Sequence, residues 1–250
     1  MGARALPLLG ILTSLYTSIQ ICGSISMDGQ QLSADRRQRM RGGIRLTVLS
    51  AMAAMTTGLR CVIIPGNGCT GRVADANWYG WLAKTLKKEG IFDEVVLPTR
   101  MPDPVAAKES IWVPFIRDDL KADECTVVVG HSSGAEAAMR LAEHTKVKAL
   151  CLVSACHTDL GDAGEAAAGY YARPWLWDQI RANAERIVQF HGDDDPFIPV
   201  AESRHVAENL KSEYSELALR SHFFSPPFPE LVEALKSIAR GADADSDADA

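Results

Sequence analysis

Short continuous apolar runs alternate with longer amphipathic stretches through the middle of the chain, and the alternation is regular from residue 60 to residue 239. Runs of about five apolar residues that lack a polar alternate suit strands buried on both faces. The pattern predicts strands over 60–64, 94–97, 125–129, 147–153, 187–190 and 216–219. Between them, apolar positions recur at helical spacing. Trp78, Trp81, Leu82 and Leu86 mark a helix over 77–89, and Ile111, Phe115 and Ile116 mark one over 106–120. Further helices are predicted over 133–144, 175–184, 201–211 and 229–239. Strand–helix alternation of this kind specifies an α/β fold with a mostly parallel sheet of about six strands and helices on both faces. Ligands in such sheets bind beyond the carboxyl ends of the strands, so the loops that follow strands are where chemistry is expected.

The two ends break the pattern. Residues 6–21 are apolar but interrupted by Thr13, Ser14, Tyr16, Thr17, Ser18 and Gln20, too short and too polar for a stable membrane span. Arg4 before this stretch and Cys22-Gly23-Ser24 after it sketch a signal peptide. The arginines that follow (Arg36, Arg37, Arg39, Arg41, Arg45) suit a transit peptide, and Met52 or Met55 offers a later start. Residues 1–58 are therefore expected to be a poorly ordered extension outside the fold, with a targeting role as one reading. Residues 242–250 carry only Ala, Asp and one Ser, and are expected to be a disordered acidic tail. The folded domain should occupy 59–241.

Composition narrows the function. The net charge of −6 argues against a nucleic-acid partner, which needs a basic face. None of the six cysteines forms a C-x-x-C pair, so zinc and thioredoxin-like chemistry is not indicated, and no metal or cofactor is expected. Cysteines within apolar strands fit a reducing, intracellular setting, cytoplasmic in the first instance. The N-terminal extension leaves a mitochondrial or other organelle address open.

The loop after the third strand carries the chemistry. Val127-Val128-Val129 runs into Gly130-His131-Ser132-Ser133-Gly134, and a helical stretch follows. A G-x-S-x-G pattern between strand and helix is a nucleophile elbow: a strained, sharp turn that lifts the serine hydroxyl free at the carboxyl end of the sheet. The ordinary alternative is a glycine-rich turn with a capping serine. Ser133 is the rival nucleophile, one place outside the pattern. The amide of Ser133, at a helix N-terminus, is an oxyanion donor. The loop after the first strand, Pro65-Gly66-Asn67-Gly68-Cys69-Thr70-Gly71, should supply a second donor from the amides of Asn67 or Gly68. It lacks the Gly-Lys-Ser/Thr of a phosphate loop, and only weakly echoes a dinucleotide fingerprint.

A serine needs a histidine to take its proton, and on this architecture the chain order is Ser, acid, His. His222 follows the sixth predicted strand and fits best. His157 also follows a strand, His191 ends the strand where the acid is expected, and His144 and His205 lie in helices. The acid should come from Asp193-Asp194-Asp195. Asp195 is favoured because Pro196 fixes the backbone after it, with its two neighbours solvated. A plain solvated turn or a weak cation site is the alternative for this run. Residues 154–177 stand where a lid is inserted, and its aromatics either line a pocket mouth or pack on the sheet.

These segments together resemble the retinoblastoma-binding protein 9 family of small α/β-hydrolase-fold serine hydrolases over residues 62–238. The match rests on Ile64-Pro65-Gly66-Asn67-Gly68, Trp78-Tyr79-Gly80-Trp81, Met101-Pro102-Asp103-Pro104 and Glu109-Ser110-Ile111-Trp112. It continues through Gly130-His131-Ser132-Ser133-Gly134, Ser154-Ala155, Asp159-Leu160-Gly161-Asp162, Arg173-Pro174-Trp175, Ile187-Val188-Gln189-Phe190 and Asp194-Asp195-Pro196-Phe197. The resemblance implies a serine hydrolase with Ser132, Asp195 and His222 as its triad, acting on a small ester, thioester or amide. A protein-binding module that keeps the fold with little turnover is the rival. Two departures stand out. Ser221 occupies a position where the family usually has glycine. Ala122 replaces the cysteine of the Leu-x-Cys-x-Glu motif, so binding to the retinoblastoma pocket is not expected.

Overall fold

The computed structural model describes residues 58–248, with side chains described for 58–241. The expected N-terminal extension, with its targeting readings, falls almost wholly outside the described residues. Six strands form one sheet in the order β2-β1-β3-β4-β5-β6, and every neighbouring pair is parallel. They are β1 (Arg60–Ile64), β2 (Glu94–Val96), β3 (Thr126–His131), β4 (Val147–Val153), β5 (Ala184–Gly192) and β6 (Glu213–Leu217). All six residues of β3 are buried, which requires cover on both faces of the sheet centre. The chain runs outward from β1 to β2 and then crosses to β3 on the other side of β1. This reversal opens a crevice at the carboxyl ends of β1 and β3, where the glycine-rich loop and the elbow both emerge.

Among the described residues, seven α-helices connect or follow the strands. They are α1 (Tyr79–Glu89), α2 (Glu109–Pro114), α3 (Ser133–Ala142), α4 (Ala163–Ala168), α5 (Trp177–Asn183), α6 (Val200–Leu210) and α7 (Pro229–Ala248). None is long and apolar enough to cross a membrane among the described residues. The differences from the pattern have local causes. The helix expected over 106–120 starts only at Glu109, because Ala107 takes φ 46°, and it loosens into a π-helical turn over Phe115–Asp119 after Pro114. The last strand is 213–217 rather than 216–219. As a sheet edge it carries alternate polar residues, so no apolar run marked it. Helix α4 was not anticipated. Its alanines lack an apolar stripe, and the signal lay in Asp162, whose carboxylate caps the amides of Gly164 and Glu165. Helix α7 continues past 239 into the expected acidic tail, to Ala248.

The segment between β4 and β5 is pinned by a buried charge. Arg140 of α3 and Glu143 form an ion pair with both side chains fully buried. Arg140 also donates to the carbonyls of Tyr170, Arg173 and Pro174, and its guanidinium lies 3.7 Å from the centre of the Trp175 ring. Glu143 accepts further bonds from Arg173 and from the amide of Leu176. Burying two charges is costly, but here the remaining donors and acceptors are satisfied. The expected lid is thus mostly fixed packing: Trp175 donates to the carbonyl of His157, and Tyr170 is buried with its hydroxyl on the carbonyl of Ala107. Removing one partner should be expensive. Arg140→Ala should destabilise the domain by about 3–5 kcal/mol, because Glu143 keeps only the part-exposed Arg173 as a charged partner and the carbonyls of Tyr170, Arg173 and Pro174 lose their donor. Urea unfolding checks this, and a loss below about 1 kcal/mol would contradict it.

Candidate active site

The elbow forms where three backbones converge. Ser132 sits between β3 and α3 with φ 53° and ψ −127°, a conformation in which a non-glycine residue is strained. The flanking glycines are sterically required. A Cβ on Gly130 would lie 2.4 Å from the carbonyl oxygen of Gly134, and a Cβ on Gly134 would lie 2.5 Å from that of Pro65. Close approach therefore brings the loop after β1 against the serine. Ser133 is buried as the first residue of α3, so of the two serines it is Ser132 that occupies the strained apex.

The three adjacent aspartates all face the loop after β6. Asp193 accepts from the amide of Leu219 and Asp194 from that of Ser221. Asp195 accepts from Nδ1 of His222 at 2.7 Å. Asp195 Oδ1 also takes the amides of Phe197 and Ile198, and Oδ2 takes the hydroxyl of Ser154. Burial disfavours its charge, but the bonds from His222 and the two amides outweigh this, and its carboxyl is held below the ordinary value. An anionic Asp195 on Nδ1 leaves Nε2 of His222 as the free ring nitrogen. Ser221, where the family usually has glycine, has φ 49°, the left-handed region that favours glycine. The loop keeps that shape with the amide of Ser221 tied to Asp194.

A cavity of about 450 Å³ opens at this point, and Ser132, Ser133, His222, Gly66 and Asn67 all line it. The oxyanion expectation needs one correction. The amide of Gly68 donates to the carbonyl of Pro104 at 2.7 Å, and Gly68 is not among the cavity-lining residues, so that amide is not available to an oxyanion. Asn67 lines the cavity, and its side chain donates to Glu165.

The other histidines are engaged elsewhere. His191 donates from Nε2 to the carbonyl of Ile198. His157 stacks on His205 at 3.8 Å and faces Glu202, so it does not approach the cavity as the sequence had allowed. No group of His, Cys, Asp or Glu among the described residues could hold a metal ion. Three further residues meet the site: His131, Tyr79 and Ser154. All three stood in plain view within the matched segments, but their polar atoms meet the site only through tertiary contacts.

The family model described as serine hydrolase matches residues 61–226. Serine hydrolase RBBP9 of Rattus norvegicus is 47% identical over 184 residues, covering 74% of this chain and 97% of the relative. Among solved structures, the ydeN gene product from B. subtilis superposes with a TM-score of 0.63 at 21% identity, covering 72% of this chain and 98% of the other. A carboxylesterase structure from Nitrososphaera gargenis gives a TM-score of 0.57 at 17% identity, covering 76% and 92%. At those identities the two structures speak for the α/β-hydrolase fold alone. The family match and the rat relative go further: this chain belongs to the serine hydrolase family.

Proposed function

We propose that the chain hydrolyses small carboxylic esters, thioesters or amides through an acyl-enzyme on Ser132, with His222 as the base and Asp195 behind it. The observation that carries this reading is the 2.7 Å contact between His222 Nδ1 and Asp195 Oδ2, beside a cavity that Ser132 lines. His222 Nε2 takes the proton as Ser132 Oγ attacks the carbonyl carbon. The same imidazolium then returns it to the departing alcohol, thiol or amine. Asp195 stabilises the imidazolium and fixes its tautomer. The developing oxyanion is held by the amides of Asn67 and Ser133, the latter at the N-terminus of α3. Water activated by His222 then cleaves the acyl-enzyme and releases the acid.

The cavity's charge bears on the substrate. Asp159, Asp162 and Glu165 line it; burial raises the carboxyl of Glu165 and pushes that of Glu136, also in the lining, well above the ordinary range, so the negative charge rests chiefly on the two aspartates. No lysine or arginine stands among its described lining residues. Tyr171, Phe197, Phe224 and Leu160 supply apolar surface. A neutral or cationic substrate suits such a site, including an aminoacyl ester or amide, and an anionic one is repelled. Binding through the 120–124 segment is not part of this reading, since Ala122 stands at the motif cysteine and is itself buried.

Four measurements test it. Ser132→Ala should abolish labelling by a fluorophosphonate probe in a folded protein, while Ser133→Ala keeps it. The opposite pattern would move the nucleophile. Asp195→Asn should lose on the order of 10⁴-fold in kcat through the wrong imidazole tautomer. His222→Ala should remove activity in a folded protein, because Ser132 is then left without a base to take its proton. Near wild-type hydrolysis by folded His222→Ala would sink the mechanism. Across matched esters, neutral and cationic acyl groups should exceed an anionic one in kcat/KM by at least about tenfold, equivalent to ~1.4 kcal/mol. Equal rates would show that the acidic wall does not face the substrate.

A further inference from the structure

His131 lies inside the elbow, one residue before the proposed nucleophile, and it is 1% exposed. Its Nε2 stands 3.0 Å from the backbone carbonyl of His222. A carbonyl only accepts, so Nε2 must carry the hydrogen. The ring is neutral: burial, reinforced by the nearby His222, pushes its pKa down to about 3. Nδ1 is therefore bare and needs a donor, and the hydroxyl of Tyr79 is 2.6 Å away. That hydroxyl in turn accepts from the amide of Gly66 and from Nδ2 of Asn77, each at 3.0 Å. A phenol oxygen has one proton to give and two lone pairs to fill, so its capacity is used up. Every proton direction in the chain of bonds is thus fixed: Asn77 and Gly66 to Tyr79, Tyr79 to His131, His131 to the carbonyl of His222.

The three segments joined in this way carry the reacting parts. Gly66 precedes Asn67, whose amide is the proposed oxyanion donor. His131 precedes Ser132. The carbonyl at the far end belongs to His222 itself. The position a Cβ would take on Gly66 is only 3.1 Å from Cβ of Ser132, so small movements of this loop alter the geometry around the serine. The amide of Gly66 is consumed by Tyr79, which leaves that of Asn67 to turn toward the cavity.

We propose that His131 and Tyr79 are positioning residues for hydrolysis: their buried hydrogen-bond chain holds the oxyanion loop and the backbone of His222 in register with Ser132. The proposal rests on the reading of His222 as the base. Neither residue exchanges a proton with substrate, and the chain acts through geometry alone. Saturated networks of this kind hold a single arrangement, because any rearrangement strands a buried donor or acceptor. A displacement of about 1 Å at a reacting group can cost on the order of 100-fold in rate.

Tyr79→Phe is the direct test, since the ring and its packing against Trp78 are kept and only the hydroxyl is lost. For a neutral ester, kcat should fall by about 10- to 100-fold with KM unchanged, and the second-order rate of fluorophosphonate labelling should fall by the same factor. Both rates are taken at a temperature where circular dichroism shows the variant fully folded. His131→Gln, whose amide nitrogen can reach the same carbonyl, should keep more activity than His131→Leu. That order also carries the test if Tyr79→Phe does not fold. Wild-type kcat and labelling in folded Tyr79→Phe, or equal rates for the two His131 variants, would overturn the positioning role. If His222→Ala remains active instead, it is the assignment of the base that fails, and the two failures are distinguishable.

Discussion

The site depends on how closely three backbone segments approach one another at the carboxyl ends of β1 and β3. Ser132 can be lifted out of the sheet only because the chain reverses from strand to helix within a residue, and that reversal leaves no room for a side chain at Gly130 or Gly134. The carbonyls that would collide there belong to Gly134 and Pro65, so the constraint is shared between the elbow and the loop after β1. The cost is a strained serine at φ 53°, which the packed surroundings hold in place. Close approach also sets the loop carrying Asn67 beside Ser132.

Polar groups then lock what the glycines allow. On one side, Asp193, Asp194 and Asp195 each bind a different point of the loop after β6, at Leu219, Ser221 and His222. Asp193 and Asp194 are exposed, as solvated neighbours of Asp195 should be, and they also bind this loop, so that the run accommodates the left-handed turn at Ser221 without glycine. On the other side, Arg140 and Glu143 fasten the segment between β4 and β5 to α3, the helix that follows the elbow. Between them lies the cavity, with carboxyl groups along the wall that α4 helps to build and aromatic side chains at Phe197 and Phe224. The side chains that line the cavity are therefore carried by the same elements that hold Ser132, Asp195 and His222.

Much of this was legible in the sequence. The apolar runs that became β1, β3 and β4 are buried in the centre of a parallel sheet, where a strand must be continuously hydrophobic to be covered on both faces. The G-x-S-x-G spacing located the elbow, because only that spacing relieves the contacts at Gly130 and Gly134. Chain order set apart His222, and Pro196 pointed to Asp195. Local pattern failed where burial did not write a pattern: the edge strand β6, whose polar residues face solvent, and α4, which is marked by its cap rather than by an apolar stripe.

What the sequence by itself determined was the parallel α/β architecture and the residue types that meet at the strand ends, since both follow from periodicities and spacings along the chain. Only the tertiary structure decided which groups are free to act there. Nothing local distinguished the amide of Gly68 from that of Asn67. The first is taken by the carbonyl of Pro104, a partner 36 positions away in the chain. Likewise His131, one more histidine by sequence, has its tautomer set by a carbonyl 91 residues distant and by a phenol 52 residues distant. Hydrogen-bond capacity is a property of the folded neighbourhood. A polar group's role is fixed by whatever has already claimed its donors and acceptors, and those claimants come from across the fold.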